Sequence, residues 1–210
     1  MTSAQPRPGP RDERGVLAAR ILDVARESFA EHGKAGTTVR AVARSADVDP
    51  ALVYHYYGSK DALLEACTTP PPEWIATIAQ AWSGPTDQLG RRLVAVTLEN
   101  WQNDQFAPIM RSVLLIAAHD DAIREKLRLI VQTSLMGPAA IGLNERERLV
   151  RAGLVSSQLI GLAFVRYLWK IEPIASMSDA EVVAAIAPTL QRYIDGPVSL
   201  PKRATEVNLP

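Results

Sequence analysis

The sequence predicts an all-α protein: a three-helix head with a helix-turn-helix near the N-terminus, then a larger helical body, about nine helices in all. Three observations predict it. Apolar residues recur at i, i+3, i+4 and i+7 in segment after segment. From Thr86 onward nothing alternates with the period of two that a half-buried strand shows. Capping residues, prolines and glycines fall between the periodic runs, where helices start and stop. At 210 residues the chain is long enough for a real core, as one large domain or two small ones.

Residues 1–13 hold Pro6, Pro8, Gly9 and Pro10 and no apolar run, so they are expected to be a disordered arm without the hydrophobic segment of a signal peptide. Arg14 to His32 is the first helix, with Leu17, Ile21, Val24, Ala25 and Phe29 on its apolar face and Gly33 and Gly36 marking its end. Val39, Val42, Ala43 and Ala46 make one stripe on a short second helix, capped by Thr38. Asp47-Val48-Asp49 breaks the pattern. Asp49 is then a good N-cap, and Pro50 suits the first helical position because its missing N–H has no partner there. The third helix packs through Leu52 and Val53 and carries hydrogen-bonding tips on Tyr54, His55 and Tyr56. Gly58 ends it, and Ser59 caps a further helix from Lys60. Two short helices, a tight turn and a polar, aromatic second helix fit a reader of double-stranded DNA.

Charge neither forbids nor drives that reading. The chain carries 23 basic and 23 acidic residues. Residues 1–60 hold nine basic residues (Arg7, Arg11, Arg14, Arg20, Arg26, Lys34, Arg40, Arg44, Lys60) against seven acidic ones (Asp12, Glu13, Asp23, Glu27, Glu31, Asp47, Asp49). DNA binding here has to rest on geometry and pairing more than on bulk charge. The single cysteine, Cys67, excludes an intramolecular disulfide and a cysteine-based zinc site and fits a reducing cytoplasm.

The stretch from Thr37 to Leu64 resembles the TetR/AcrR family of transcriptional repressors. Thr38, Val42, Ala43, Ala46, Val48, Val53, Tyr54, Tyr56, Tyr57, Ser59, Lys60 and Leu63 match that family's helix-turn-helix pattern or replace it closely. Asp47 stands where the family usually has Gly, and Asp49 where Ser is common; Asp tolerates a left-handed turn better than most residues. The specific resemblance spans Arg14 to about Cys67. It implies that Pro50, Ala51 and Tyr54 face base edges or the groove floor, and that Thr38, His55, Tyr56 and Lys60 bond phosphates. Arg40 and Arg44, four apart on one helix face, would flank the DNA backbone. Phosphate contacts set register and affinity, base contacts set sequence.

The helix from Lys60 is interrupted by Pro70-Pro71-Pro72, which sets the expected boundary between a head (residues 14–69) and a regulatory and dimerisation body (residues 70–196), with a tail at 197–210. A fresh helix from Pro72 carries Trp74, Ile75, Ile78 and Trp82. Further helices are expected at Leu89–Trp101, Pro108–Ala118 and Ala122–Leu135, the last ended by Gly137-Pro138. Arg146 to Ile171 is expected to be the longest helix, apolar on nearly all sides. Its length suits a membrane span, but Arg151, Ser156, Ser157, Gln158 and Arg166 interrupt it, so no membrane is expected. Ser178 caps a last helix to Ile194, stopped by Gly196-Pro197.

A helix apolar all round needs cover on every side, and one small body covers only part of it. Gly153, Ser157 and Gly161 lie four apart and let another helix approach. The last two helices therefore read as a homodimer interface, through Gly153, Ser157, Ile160, Gly161, Phe164, Val183, Ile186 and Leu190. The resemblance implies the same pairing, and it implies a body that encloses a small-molecule effector. Trp74, Trp101, Phe106, Met110, His119 and Phe164 are candidates to line that pocket, which suits a mostly hydrophobic ligand. No cofactor or metal is expected. No HExxH, GxSxG, P-loop or GxGxxG is present, and the three histidines, His32, His55 and His119, are scattered, so the chain does not read as an enzyme.

Overall fold

The computed structural model describes residues 10–134 and 142–198. Those residues form ten α-helices and no strand: α1 (Pro10–Gly36), α2 (Val39–Ser45), α3 (Pro50–Tyr57), α4 (Lys60–Thr68), α5 (Pro72–Ala81), α6 (Leu89–Gln102), α7 (Ala107–Ala117), α8 (Asp121–Ser134), α9 (Glu145–Ala163) and α10 (Asp179–Asp195). The chain divides into two compact units, Met1–Pro71 with Gln102–Leu127, and Pro72–Trp101 with Arg128–Pro210. One boundary of this division falls between Pro71 and Pro72. The division also returns α7 and the start of α8 to the first unit, because α7 packs on α1 and α4. No local signal announces that return.

In the first unit α1 is the scaffold. Ile21, Ala25 and Phe29, four apart, are completely buried, and α1 packs against α2, α4 and α7. Val39, Val42, Ala43, Ala46, Val53, Leu63, Leu64 and Cys67 close the same core, joined by Ile116, Ala117 and Ile123. Tyr57 belongs to this scaffold: its hydroxyl donates to the Ala18 carbonyl at 2.7 Å. Burial, together with the neighbouring thiol of Cys67, raises the Tyr57 pKa.

In the second unit the core runs through α6, α9 and α10, with Leu93, Val94, Leu98, Val155, Leu162, Val182 and Leu190 buried. Gly90 sets the closeness of α6 and α10: a Cβ there would lie 2.7 Å from the Ala187 carbonyl oxygen. Its N–H donates to Gln191 Oε1 at 2.8 Å. Arg151 ties α9 to the end of α10. Its Nη1 donates to the carbonyls of Tyr193 (2.8 Å) and Gly196 (3.1 Å), and its Nη2 to Glu147 Oε1 at 2.9 Å. The last carbonyls of α10, which have no helical partner, are satisfied by that guanidinium.

Three expectations change. α1 begins at Pro10, not Arg14; Pro10 takes the first helical position, where its missing N–H has no helical partner. Its break at Gly33 (φ 65°, ψ −178°) is where expected. α9 does not reach Ile171: it ends at Ala163 and continues as a π-helical turn, Phe164–Leu168. Val183 and Leu190, expected at a dimer surface, are 7 % and 0 % exposed inside their own unit; the 3.6-residue period of α10 turns them inward. The rest of the expected arm (residues 1–9), the Gly137-Pro138 break and residues 199–210 of the tail lie outside the described residues.

Candidate nucleic-acid interface

α2 and α3 are each built from their ends. Thr38 Oγ1 accepts from the Ala41 N–H at 3.1 Å, and Asp49 Oδ1 from the Ala51 N–H at 2.7 Å. Each satisfies one of the orphan donors at a helix start. Asp47 turns the chain between them at φ 53°, the left-handed position for which Gly or Asp is suited. The Val48 N–H donates to the Ala43 carbonyl at 3.0 Å and closes the turn. The Asp49 carboxylate is therefore engaged by backbone and acts as a cap.

Packing then decides which side chains face out. On α2, Val39, Val42 and Ala43 are buried, which leaves Arg40 and Arg44 exposed together. Among the described residues neither takes an ion pair. On α3, Val53 is the buried residue, and Ala51, Tyr54 and His55 are exposed on the spacing of one helix face. Tyr54 is 52 % exposed, unusual for a large ring that packing could have covered. His55 stands edge-on to Tyr56 with centroids 5.6 Å apart. Tyr56 and Pro50 are half-buried, and Tyr56 packs on the core of the unit.

Lys60 has a second duty that its position does not announce. Its Nζ donates to the carbonyls of Lys34 (2.6 Å) and Thr37 (2.9 Å), leaving one proton for another acceptor. It braces the start of α4 against the segment that leads into Thr38. Ser59 caps α4, its Oγ accepting from the Ala62 N–H at 3.0 Å.

The other expected residues divide between the two units. Phe106, Met110 and His119 lie in the first; Trp74, Trp101 and Phe164 lie in the second. Trp101 is 8 % exposed and stacks on Tyr167, centroids 5.0 Å apart and planes at 7°. Phe164 tilts against Trp169 at 5.1 Å. The Trp74 indole N–H is buried without an acceptor among the described residues. Near it, Thr77 Oγ1 donates to the Trp74 carbonyl (2.8 Å) and pairs with buried Asn100 (3.1 Å). Phe106 is buried, Met110 half-buried and His119 exposed. Tyr167 and Thr77 were not among the expected residues; Tyr167 lies one residue from Arg166, whose guanidinium stands 5.6 Å over its ring, a pairing that spacing alone does not reveal. Of the dimer candidates, Gly153 and Ser157 are exposed, and Ile160, Gly161, Phe164 and Ile186 half-buried.

A capped helix-turn-helix held by a closed apolar scaffold, with no strand among the described residues, defines the helix-turn-helix class of protein. The family description "Bacterial regulatory proteins, tetR family" matches residues 21–67, and "Tetracyclin repressor-like, C-terminal domain" matches residues 87–194. The second alone covers more than half of the chain. The chain belongs to the tetR family. It is similar to the HTH-type transcriptional regulator BetI of Burkholderia thailandensis, 34% identical over 117 residues, 53% of this chain and 60% of that protein; the chain thus spans less than two thirds of the length of the curated relatives it matches. A TetR-family regulator from Streptomyces coelicolor has a similar structure, with 30% identity, 91% of this chain and 99% of that one covered, and a TM-score of 0.58. A transcriptional regulator from Rhodococcus sp. Rha1 shares the fold, with 22% identity, 88% and 99% covered, and a TM-score of 0.59. These relatives are transcriptional regulators, not enzymes.

Proposed function

We propose that the chain is a sequence-specific DNA-binding transcriptional regulator: a homodimeric repressor, cytoplasmic, released from a palindromic operator by a small, mostly hydrophobic ligand. The observation that carries the reading is the outward face of α2 and α3. Arg40, Arg44, Ala51, Tyr54 and His55 are exposed together, while Val42, Val53 and Phe29 beneath them are at most 1 % exposed. α3 would lie in the major groove, with Pro50, Ala51 and Tyr54 toward base edges. Thr38, His55, Tyr56, the remaining proton of Lys60, and Arg40 and Arg44 would meet phosphates.

Pairing follows from the reading itself, since one short reader helix meets too few base pairs for specificity and two-fold half-sites need two copies. The outward faces of α9 and α10 support it. Gly153 and Ser157 on α9, and Ala184, Ala185 and Pro188 on α10, are exposed and small, so a second pair of helices can approach closely. The stretch Glu145–Leu168 is long and apolar enough to cross a membrane by length and composition. We read it as a body helix, because its Arg151 is buried on the end of α10.

For the ligand, Trp74, Trp101 and Phe164 in the second unit, with the unpartnered Trp74 N–H, favour an apolar molecule carrying one acceptor. Coupling of about 1–3 kcal/mol between ligand and operator would release DNA.

The test is fluorescence anisotropy of the purified protein on DNA from immediately upstream of its coding region, against shuffled DNA, across a salt series. Tight binding to the first alone, at a stoichiometry of two chains per site, is expected. Equal binding to both DNAs would replace the regulator with a nonspecific DNA binder.

A further inference from the structure

Within the first unit an open pocket of about 560 Å³ lies where α1 ends, lined by Glu31, His32, Gly33, Lys34, Lys60 and His119, among others. Four of these named side chains are nitrogen donors or become so on protonation; one is a carboxylate. The pocket exists because α1 breaks at Gly33, whose φ of 65° turns the chain away from the helix axis and opens a space beside the His119 corner.

The donors are oriented. His32 Nδ1 donates to the Ser28 carbonyl at 3.3 Å, which holds the ring with Nε2 as its free edge. Lys60 Nζ is fixed by the Lys34 and Thr37 carbonyls and keeps one proton. Lys34 Nζ pairs with Asp61 at 3.1 Å, but these side chains are 45% and 73% exposed, and such a pair is readily exchanged for a stronger anion.

We propose that this pocket is a phosphate-binding site, in which Lys34, Lys60, His32 and His119 share one phosphate group while Asp61 gives up Lys34. The phosphate is either that of a DNA backbone flanking the reader helix or a free phosphate. Lys60 alone is part of the DNA reading given above; Lys34, His32 and His119 are new. All the lining residues belong to the first unit.

Two arms separate the sources. In the first, imidazole resonances of the full chain are followed by NMR as inorganic phosphate is titrated, with chloride at matched ionic strength as control. His32 and His119 are expected to shift along one saturating curve, and Lys34→Gln to abolish it. In the second, the salt slope of DNA binding is compared between the wild type, Lys34→Gln and His119→Gln, with circular dichroism checking that each variant is folded. A backbone phosphate in the pocket predicts a smaller slope for Lys34→Gln, by at most about one since a single phosphate is shared, on operator and shuffled DNA alike, and weaker binding for His119→Gln. Saturation in the first arm with an unchanged slope assigns the site to a free phosphate. No saturating shift and no change in slope overturn the site. The first arm needs no DNA, so failure of the operator reading would leave it standing and be told apart from its own failure.

Discussion

Tyr54 and Trp101 are both aromatic residues on amphipathic helices, yet one is 52 % exposed and the other 8 %. In the first unit the apolar scaffold is complete without Tyr54: Val53 beside it fills the core, and the ring is left over. In the second unit Trp101 is part of the packing, stacked flat on Tyr167. The difference teaches where function can be read. A residue that the core does not use, held out by neighbours that it does use, is free to meet another molecule. A residue consumed by packing says little about ligands.

The largest expected effects break the scaffolds themselves. Phe29→Ala empties the centre of the first unit and should cost about 3–5 kcal/mol, read by urea denaturation, with DNA binding lost only as the head unfolds. Gly90→Ala should rival it in the second unit, because the added carbon meets backbone of α10 at 2.7 Å, not a flexible side-chain end. If Gly90→Ala left stability unchanged, the close α6–α10 crossing would be wrong. Arg151→Ala strands Glu147 and the last carbonyls of α10 and should cost about 2–3 kcal/mol, again by denaturation. Operator affinity should survive each of the last two changes wherever the protein is folded and dimeric.

Smaller effects sharpen the contrast. Ser178 and Glu181 cap α10 reciprocally, the Glu181 carboxylate accepting from the Ser178 N–H at 2.8 Å. Ser178→Ala should cost about 1 kcal/mol. Hydrogen bonds from Ser178 lower the Glu181 pKa from its ordinary 4.5. A lowered carboxylate stabilises the fold above its unfolded value and loses that contribution as pH falls through the folded one. The difference between wild type and Ser178→Ala should therefore shrink in acid. At the other end of the scale, burial pushes the Cys67 thiol up to about 12, with Arg26 opposing it and Asp23 adding to it. The neutral thiol is the folded form, so its contribution is complete below the ordinary 9.0 and is lost as pH rises toward 12. A thiol reagent at neutral pH should label Cys67 only after unfolding.

The head was legible because its signals are specific to position. Thr38, Asp49 and Ser59 each cap where the sequence placed them, and Asp47 takes the left-handed turn. The faces of α2 and α3 follow from the buried Val42 and Val53. The body was legible only as helices. An apolar run says that a helix is buried, not which side meets its own core, so Val183 and Leu190 read as surface and Gly90 passed unremarked. Lys60 shows the same limit inside the head: its distance to the Lys34 carbonyl is set by the break at Gly33, a tertiary fact that no local pattern carries. The return of α7 to the first unit is of that kind as well.

The central claim is that the exposed face of α3 reads sequence while its buried face only supports it. Tyr54→Ala tests it most directly, with anisotropy on operator and shuffled DNA at one salt concentration beside the wild type. Loss of one good base contact, about 1–3 kcal/mol, predicts operator binding weaker by roughly 5- to 150-fold. Shuffled-DNA binding and thermal stability should stay as they were. Equal losses on both DNAs would make Tyr54 a backbone contact, and no loss on either would remove α3 from the interface.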